Sequence, residues 1–340
     1  MLQPEAPRAL VEERAPTAGR SDAVMRAGAQ RSVARRWTLF VVLALGLYAG
    51  LYAASEYLVY RFGEKNRFFA IHGAAQEYDV AILGASHAMP LDFADMNRRL
   101  QDATGLSILN LSMEGAGIIP NRVVFDYFAR RRRARTVLWV LDSFAFYSPK
   151  WNEERIDDTR LFQRAPLDLD LVRVLADEPA ARPVLPGYAS GFVKINNHDQ
   201  FKRDVSDAEL TKFNRTWRAI PQIDRQRVQY LYPTAVDPAT FQRYLAEFEK
   251  LIDTARGRGA NVVVVKPPTP PRYRDRLPKE AEFDAAIQRL LAAKGVAFED
   301  LSKSLAEDRF YYDTDHLNRA GATALIDGAL SELLKRHGKR

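Results

Sequence analysis

Three short apolar runs set the limits on this chain's fold: residues 80–83 (VAIL), 136–141 (TVLWVL) and 261–265 (NVVVV). Each is almost unbroken Val, Ile and Leu, the pattern of a strand covered on both faces. Helical patterns separate them. Residues 93–103 stop at Gly105, and residues 121–133 end in the basic block 130–133. Residues 238–258 carry Phe241, Leu245, Phe248 and Ile252 at helical spacing before Gly259. Two further strands are read at 107–111 (SILNL) and 296–301, and two further helices at 279–294 and 318–335. Strand and helix in alternation predict a five-stranded parallel sheet with helices on both faces, a three-layer α/β/α sandwich. Residues 144–237 break the rhythm with many aromatics and with Pro166, Pro179, Pro183, Pro186 and Pro221. They read as an insertion at the carboxyl end of the third strand, the edge where open α/β sheets bind ligands.

A second constraint lies upstream. Residues 37–55 (WTLFVVLALGLYAGLYAAS) contain no charge, which is about enough chain to cross a hydrocarbon core. Trp37 opens the run, and Tyr48, Tyr52, Tyr57 and Tyr60 cluster toward its far end, as interfacial aromatics do. A cleaved signal peptide would have a shorter apolar core, although Ala53-Ala54-Ser55 offers a weak cleavage site. A buried core helix would show a polar face, and this run has none. The expectation is an uncleaved single-pass anchor over 37–60, after a disordered arm over 1–36 and before a linker over 61–76, of which 64–76 reads as a linker or a short helix. The α/β domain then occupies 77–340. Arg26, Arg31, Arg35 and Arg36 precede the run, and the flank after it is mixed in charge. That bias places the N-terminus in the cytoplasm and the domain across the membrane. For a bacterial inner-membrane protein, this is the periplasm.

Composition excludes more than it assigns. The 340 residues are 47% hydrophobic and carry a net charge of +7, from Lys+Arg 50 and Asp+Glu 43. The excess is mild, and no RNA-binding aromatic signature, Gly-rich phosphate loop or zinc-ligand spacing accompanies it. Nucleic acid, nucleotide and metal are therefore not expected. Cysteine is absent, which rules out thiol catalysis and disulfides and is compatible with any compartment.

The chemistry-bearing residues fall at predicted strand ends. Gly84 stops the first strand, and Ser86 follows at the position where such sheets work. A serine there is often only a turn residue. It differs from the G-x-S-x-G elbow, because Ala stands at position 88. Far downstream, Asp313 and His316 lie three residues apart just before the final helix. A carboxylate so spaced on a turn can hydrogen-bond the imidazole, fix its tautomer and stabilise its charged form. Asp313 or Asp315 could instead only cap the last helix. Serine, histidine and aspartate together are the parts of an activated nucleophile.

These motifs resemble those of the SGNH (GDSL-type) hydrolases. Leu83-Gly84-Ala85-Ser86-His87-Ala88, Asn110-Leu111-Ser112-Met113-x-Gly115 and Asp313-x-x-His316-Leu317-Asn318-x-x-Gly321-Ala322 are most similar to its membrane-anchored envelope branch, the DltD-like and alginate-acetylation-type proteins. The resemblance covers about residues 77–335 apart from the insertion. It implies Ser86 as nucleophile, His316 and Asp313 as its partners, and the backbone N–H groups of Ser86 and Gly115 as oxyanion donors, with Gly117 as the second choice. It also implies an acyl-ester hydrolase or O-acyltransferase acting on a cell-envelope or exported polysaccharide, with no cofactor. A membrane-bound O-acyltransferase is the partner it implies. The family's third motif, G-x-N-D, is missing: the strand ends Val140-Leu141-Asp142-Ser143. That leaves one oxyanion donor unassigned: Ser143, Asn152 or another residue of the insertion substitutes, or turnover is slow. The same gap motivates the alternative of a non-catalytic polysaccharide-binding or assembly component. His87, Asp142, Ser143 and Lys266 are candidate substrate contacts. For each, packing, capping or solvation is the plainer role.

Overall fold

The computed structural model describes residues 18–338. A helix, Ala18–Phe62, opens them. Its stretch Gln30–Phe62 is long and apolar enough to cross a membrane, and it is the one such helix among the described residues. A signal sequence near an N-terminus would meet the same test. The expected disordered arm is helical from Ala18 onward. Its Ala and Arg are strong helix formers that extend an existing helix at little cost. The rest of the arm, 1–17, lies outside the described residues.

From residue 54 onward the chain forms one compact unit. Its sheet has five parallel strands: β1 Glu77–Gly84, β2 Ile108–Asn110, β3 Arg133–Val140, β4 Asn261–Lys266 and β5 Ala297–Asp300. They run in the order β2-β1-β3-β4-β5. The strand order reverses between β1 and β3, so the carboxyl ends of these two strands flank the crevice where doubly wound sheets bind ligands. Leu83 pairs with Trp139 and Gly84 with Val140, which brings the segments after β1 and β3 side by side.

The strand pleat divides the core in two. Ala81, Leu83, Val137, Trp139, Val262 and Val264 enter one cluster, with the helices Ile118–Arg131, Pro238–Gly257 and Glu280–Lys294. Val80, Ile82, Leu138, Val140, Val263 and Val265 enter the other, with Met96–Thr104 and the terminal helices Arg319–Leu325 and Ser331–His337. Neighbouring residues thus serve opposite faces, which is why the strands read as unbroken apolar runs.

Two segments outside the sheet also take definite form. Within the expected linker, residues 67–73 form a helix, Arg67–Gly73, capped by the Asn66 side chain, and its Phe68 and Ile71 are buried in the larger core. The insertion holds no strand. It is a series of short helices whose Phe144, Phe146, Trp151, Phe162 and Tyr188 join that same core. Its aromatics are therefore mostly the domain's own packing.

One residue fixes the exit from β1. Gly84 has φ +148°, and a Cβ there would stand 2.7 Å from the Val140 carbonyl oxygen. Gly84→Ala combines backbone strain with a clash against backbone that cannot yield. We expect it to cost about 2–4 kcal/mol, measurable as a fall in the urea midpoint at unchanged slope.

Candidate active site

Ser86 stands just past β1, half-buried, at the start of a 3₁₀ stretch, Ser86–Asp92. Its partner arrives from the other end of the domain. Residues 312–316 form a tight loop closed by the Tyr312 N–H donating to the His316 carbonyl at 3.0 Å and by an antiparallel bridge between Tyr311 and Leu317. Asn318 then caps the next helix, its side-chain oxygen accepting from the Gly321 N–H at 3.0 Å. Its amide anchors the loop by donating to the carbonyls of Arg215 and Arg309. Gly321 is required here, since a Cβ would lie 2.2 Å from the Phe310 carbonyl oxygen.

Within the loop Asp313 does two jobs. One of its oxygens accepts from the N–H groups of Asp315 (3.1 Å) and His316 (2.9 Å), which shapes the turn. Both oxygens lie 3.0 Å from His316 Nδ1. On the far side of the ring, His316 Nε2 is 2.8 Å from Ser86 Oγ. Tyr312 stacks flat on the imidazole, with centroids 5.5 Å apart and planes 5° apart. Ser86, His316 and Asp313 thus meet in hydrogen-bonded order. With its proton on Nδ1, the neutral ring offers an Nε2 lone pair to the serine hydroxyl.

The triad opens on a cleft of about 930 Å³ whose lining includes Ser86, Gly115, Arg227, Tyr230, Tyr312 and His316. Gly115 has φ +63°, and a Cβ there would meet the Trp151 ring at 2.9 Å. The alternative oxyanion glycine, Gly117, spends its N–H on the Trp151 carbonyl at 2.7 Å. Its surroundings leave Gly115 as the glycine on the cleft.

Four expected substrate contacts are placed elsewhere. Ser143 Oγ is bound at 2.6 Å to both the Tyr232 hydroxyl and a Glu280 oxygen. Lys266 Nζ pairs with Glu280 at 2.8 Å and Asp284 at 2.5 Å. These form a buried polar cluster that does not line the cleft. Asn152, the other substitute donor, is fully buried and spends its amide on the carbonyls of Ala145 and Ser148. His87 and Asp142 are also buried and bound to each other at 2.6 Å, with the His87 ring 4.8 Å from that of His316. None of the five lines the cleft, and each is bound to a partner that sequence spacing does not reveal.

Two contributors were not anticipated. Asp315 is 1% exposed and lies 3.3 Å from His316 Nδ1, a second carboxylate against the same nitrogen. Arg227, from the insertion helix Pro221–Leu231, holds Asp315 through Nε at 3.0 and 3.2 Å. Its Nη2 is 3.5 Å from His316 Nε2. Asp315 was visible in the motif but read as a cap. Arg227, 89 positions before His316, had no local signal at all.

The electrostatics follow from this arrangement. Burial pulls the His316 pKa down, but the charges of Asp313 and Asp315 outweigh it and raise it. Burial raises Asp313, yet His316 draws it below the usual carboxylate range. Asp315 is driven well below that range against its burial, by His316 and Arg227. His87, Asp315 and His316 bring three ligand-type atoms within 4.8 Å of one another. These atoms already pair among themselves and with Arg227, so an added cation would have to compete with a guanidinium already in place.

No family model matches the chain, and no curated protein matches it. Among solved structures it is similar to a Bacteroides fragilis protein provisionally named an acylhydrolase, at 8% identity and a TM-score of 0.40, over 78% of this chain and 90% of the other. Overlap that remote assigns no chemistry.

Proposed function

We propose that this chain is a serine-dependent acyl-ester hydrolase or O-acyltransferase of the bacterial envelope, of the SGNH type. The observation that carries the reading is the 2.8 Å contact from Ser86 Oγ to His316 Nε2, with Asp313 on the opposite nitrogen. In this reading Ser86 attacks the carbonyl carbon of an ester while His316 takes the hydroxyl proton. The N–H groups of Ser86 and Gly115 hold the oxyanion. Our candidate for the third donor is Arg227, which takes the place of the missing asparagine. His316 then returns its proton to the leaving alcohol, leaving an acyl-serine. Water or a sugar hydroxyl takes the acyl group by the reverse sequence.

The single apolar helix supports anchoring, and we place the N-terminus in the cytoplasm and the domain in the periplasm. An envelope or exported polysaccharide is our proposed acyl acceptor or substrate, with a membrane-bound O-acyltransferase as the proposed source of acyl groups. The test is labelling of the full-length protein in membranes by a fluorophosphonate, which reacts only with an activated serine. Wild type is expected to label at Ser86, with a rate whose acid limb lies above the ordinary histidine value of about 6.5. The sign follows from the base role: His316 acts only when neutral, and its raised pKa delays neutrality to higher pH. A folded protein that fails to label at any pH would leave the binding-component alternative standing.

A further inference from the structure

We infer that His87 and Asp142 are positioning residues that hold the second carboxylate, Asp315, beneath the catalytic imidazole. The inference rests on the serine-hydrolase reading above and goes beyond it. His87 follows the nucleophile directly but points away from the cleft, with a side chain 5% exposed. Its Nδ1 is 2.6 Å from an Asp142 oxygen, and its Nε2 is 3.3 Å from an Asp315 oxygen. The other Asp315 oxygen is 3.3 Å from His316 Nδ1. The two rings lie 4.8 Å apart. A row of contacts therefore runs Asp142, His87, Asp315, His316, Ser86, hydrogen-bonded at its two ends and joined through Asp315 by charge at 3.3 Å, and links the end of β3 to the serine after β1.

The charges in this row are interdependent. His87 is bracketed by Asp142 from the β3 end and by Asp315 and His316 from the C-terminal loop. Beyond Asp315 stand Arg227 and the buried Tyr273 hydroxyl, and beyond His316 stand Asp313 and Tyr312. Burial pushes the His87 pKa down, but the two flanking carboxylates lift it to about 10. His87 is thus a fixed cation at neutral pH. Three carboxylates then face two permanent cations, His87 and Arg227, and the proton that His316 takes from Ser86 completes the balance. A carboxylate buried as deeply as Asp315 stays ionised and in place only while both cations hold it.

This arrangement predicts shifts of opposite sign. His87→Gln removes a positive charge about 5 Å from His316, so the acid limb should move up by about half to one pH unit. Asp142→Asn removes a negative charge and should move the limb down by a similar amount. The experiment measures the pH dependence of the rate at which a fluorophosphonate labels Ser86, for full-length wild type and both variants in detergent, with thermal unfolding as the check on folding. Opposed shifts, with a rate at the plateau lowered about tenfold or more, are the expected result. Folded variants whose limbs match wild type, or move together, overturn the inference and leave the triad untouched. A wild-type protein that does not label removes the reading beneath it, a distinct outcome.

Discussion

Ser86→Ala and His316→Ala should each reduce ester turnover on the order of ten-thousandfold or more, and the double variant should lose no more than either alone. The reason is that, in the proposed mechanism, the two side chains act as one device. Without the imidazole the hydroxyl keeps its proton, and without the hydroxyl the imidazole has nothing to activate. Turnover of p-nitrophenyl acetate by the full-length protein would show this directly. Losses that multiplied in the double variant would mean that the two residues act separately, despite the 2.8 Å between them. Asp313→Ala is a graded case. Asp315 also lies against His316 Nδ1, at 3.3 Å, so this variant should retain measurably more activity than His316→Ala.

Asp315→Ala should be the most destabilising change in the site, at about 3–5 kcal/mol near neutral pH. It deletes the one carboxylate shared by Arg227 and His87, which leaves the half-buried guanidinium without its ion-pair partner and the buried imidazole with Asp142 alone. Asp313, whose side chain is 31% exposed, should cost only about 1–2 kcal/mol when truncated, mainly through the turn it braces. Denaturant titration at pH 7 separates the two. The contribution of Asp315 also has a pH signature. Its folded pKa is depressed, so its stabilisation is present above the ordinary carboxylate value and fades as pH falls through the depressed one. If Asp315→Ala unfolded at the same denaturant concentration as wild type, the buried charge row would be energetically idle.

What the sequence revealed, and what it hid, divides along a physical line. The candidate serine and its turn were legible because Gly84 and Ser86 act locally: a strand must end, and a residue without Cβ lets it end there. Asp313 and His316 were legible for the same reason, since three residues of loop suffice to join them. The strands β1, β3 and β4 were legible because both faces of the sheet are covered there, which leaves continuous apolar runs. The contributions of His87, Asp142 and Arg227 were not. Each depends on a partner at least 55 positions away, and nothing in the spacing of single residues encodes such a meeting. Ser143 and Lys266 misled for the converse reason. They sit at the productive edge by sequence, but Glu280 captures both. Residues 64–76 read equally as a linker or a short helix because a helix of two turns is too short to show periodicity.

The loop that carries His316 is held shut by the cap of the helix behind it and by contacts to Arg215 and Phe213. Ser86 is made 230 residues earlier. During synthesis the hydroxyl therefore emerges long before anything can arm it, and until the fold closes it is an inert alcohol. Reactivity becomes a property of the finished fold, so a nick or truncation that frees the closing helix should silence the protein rather than release an unregulated nucleophile.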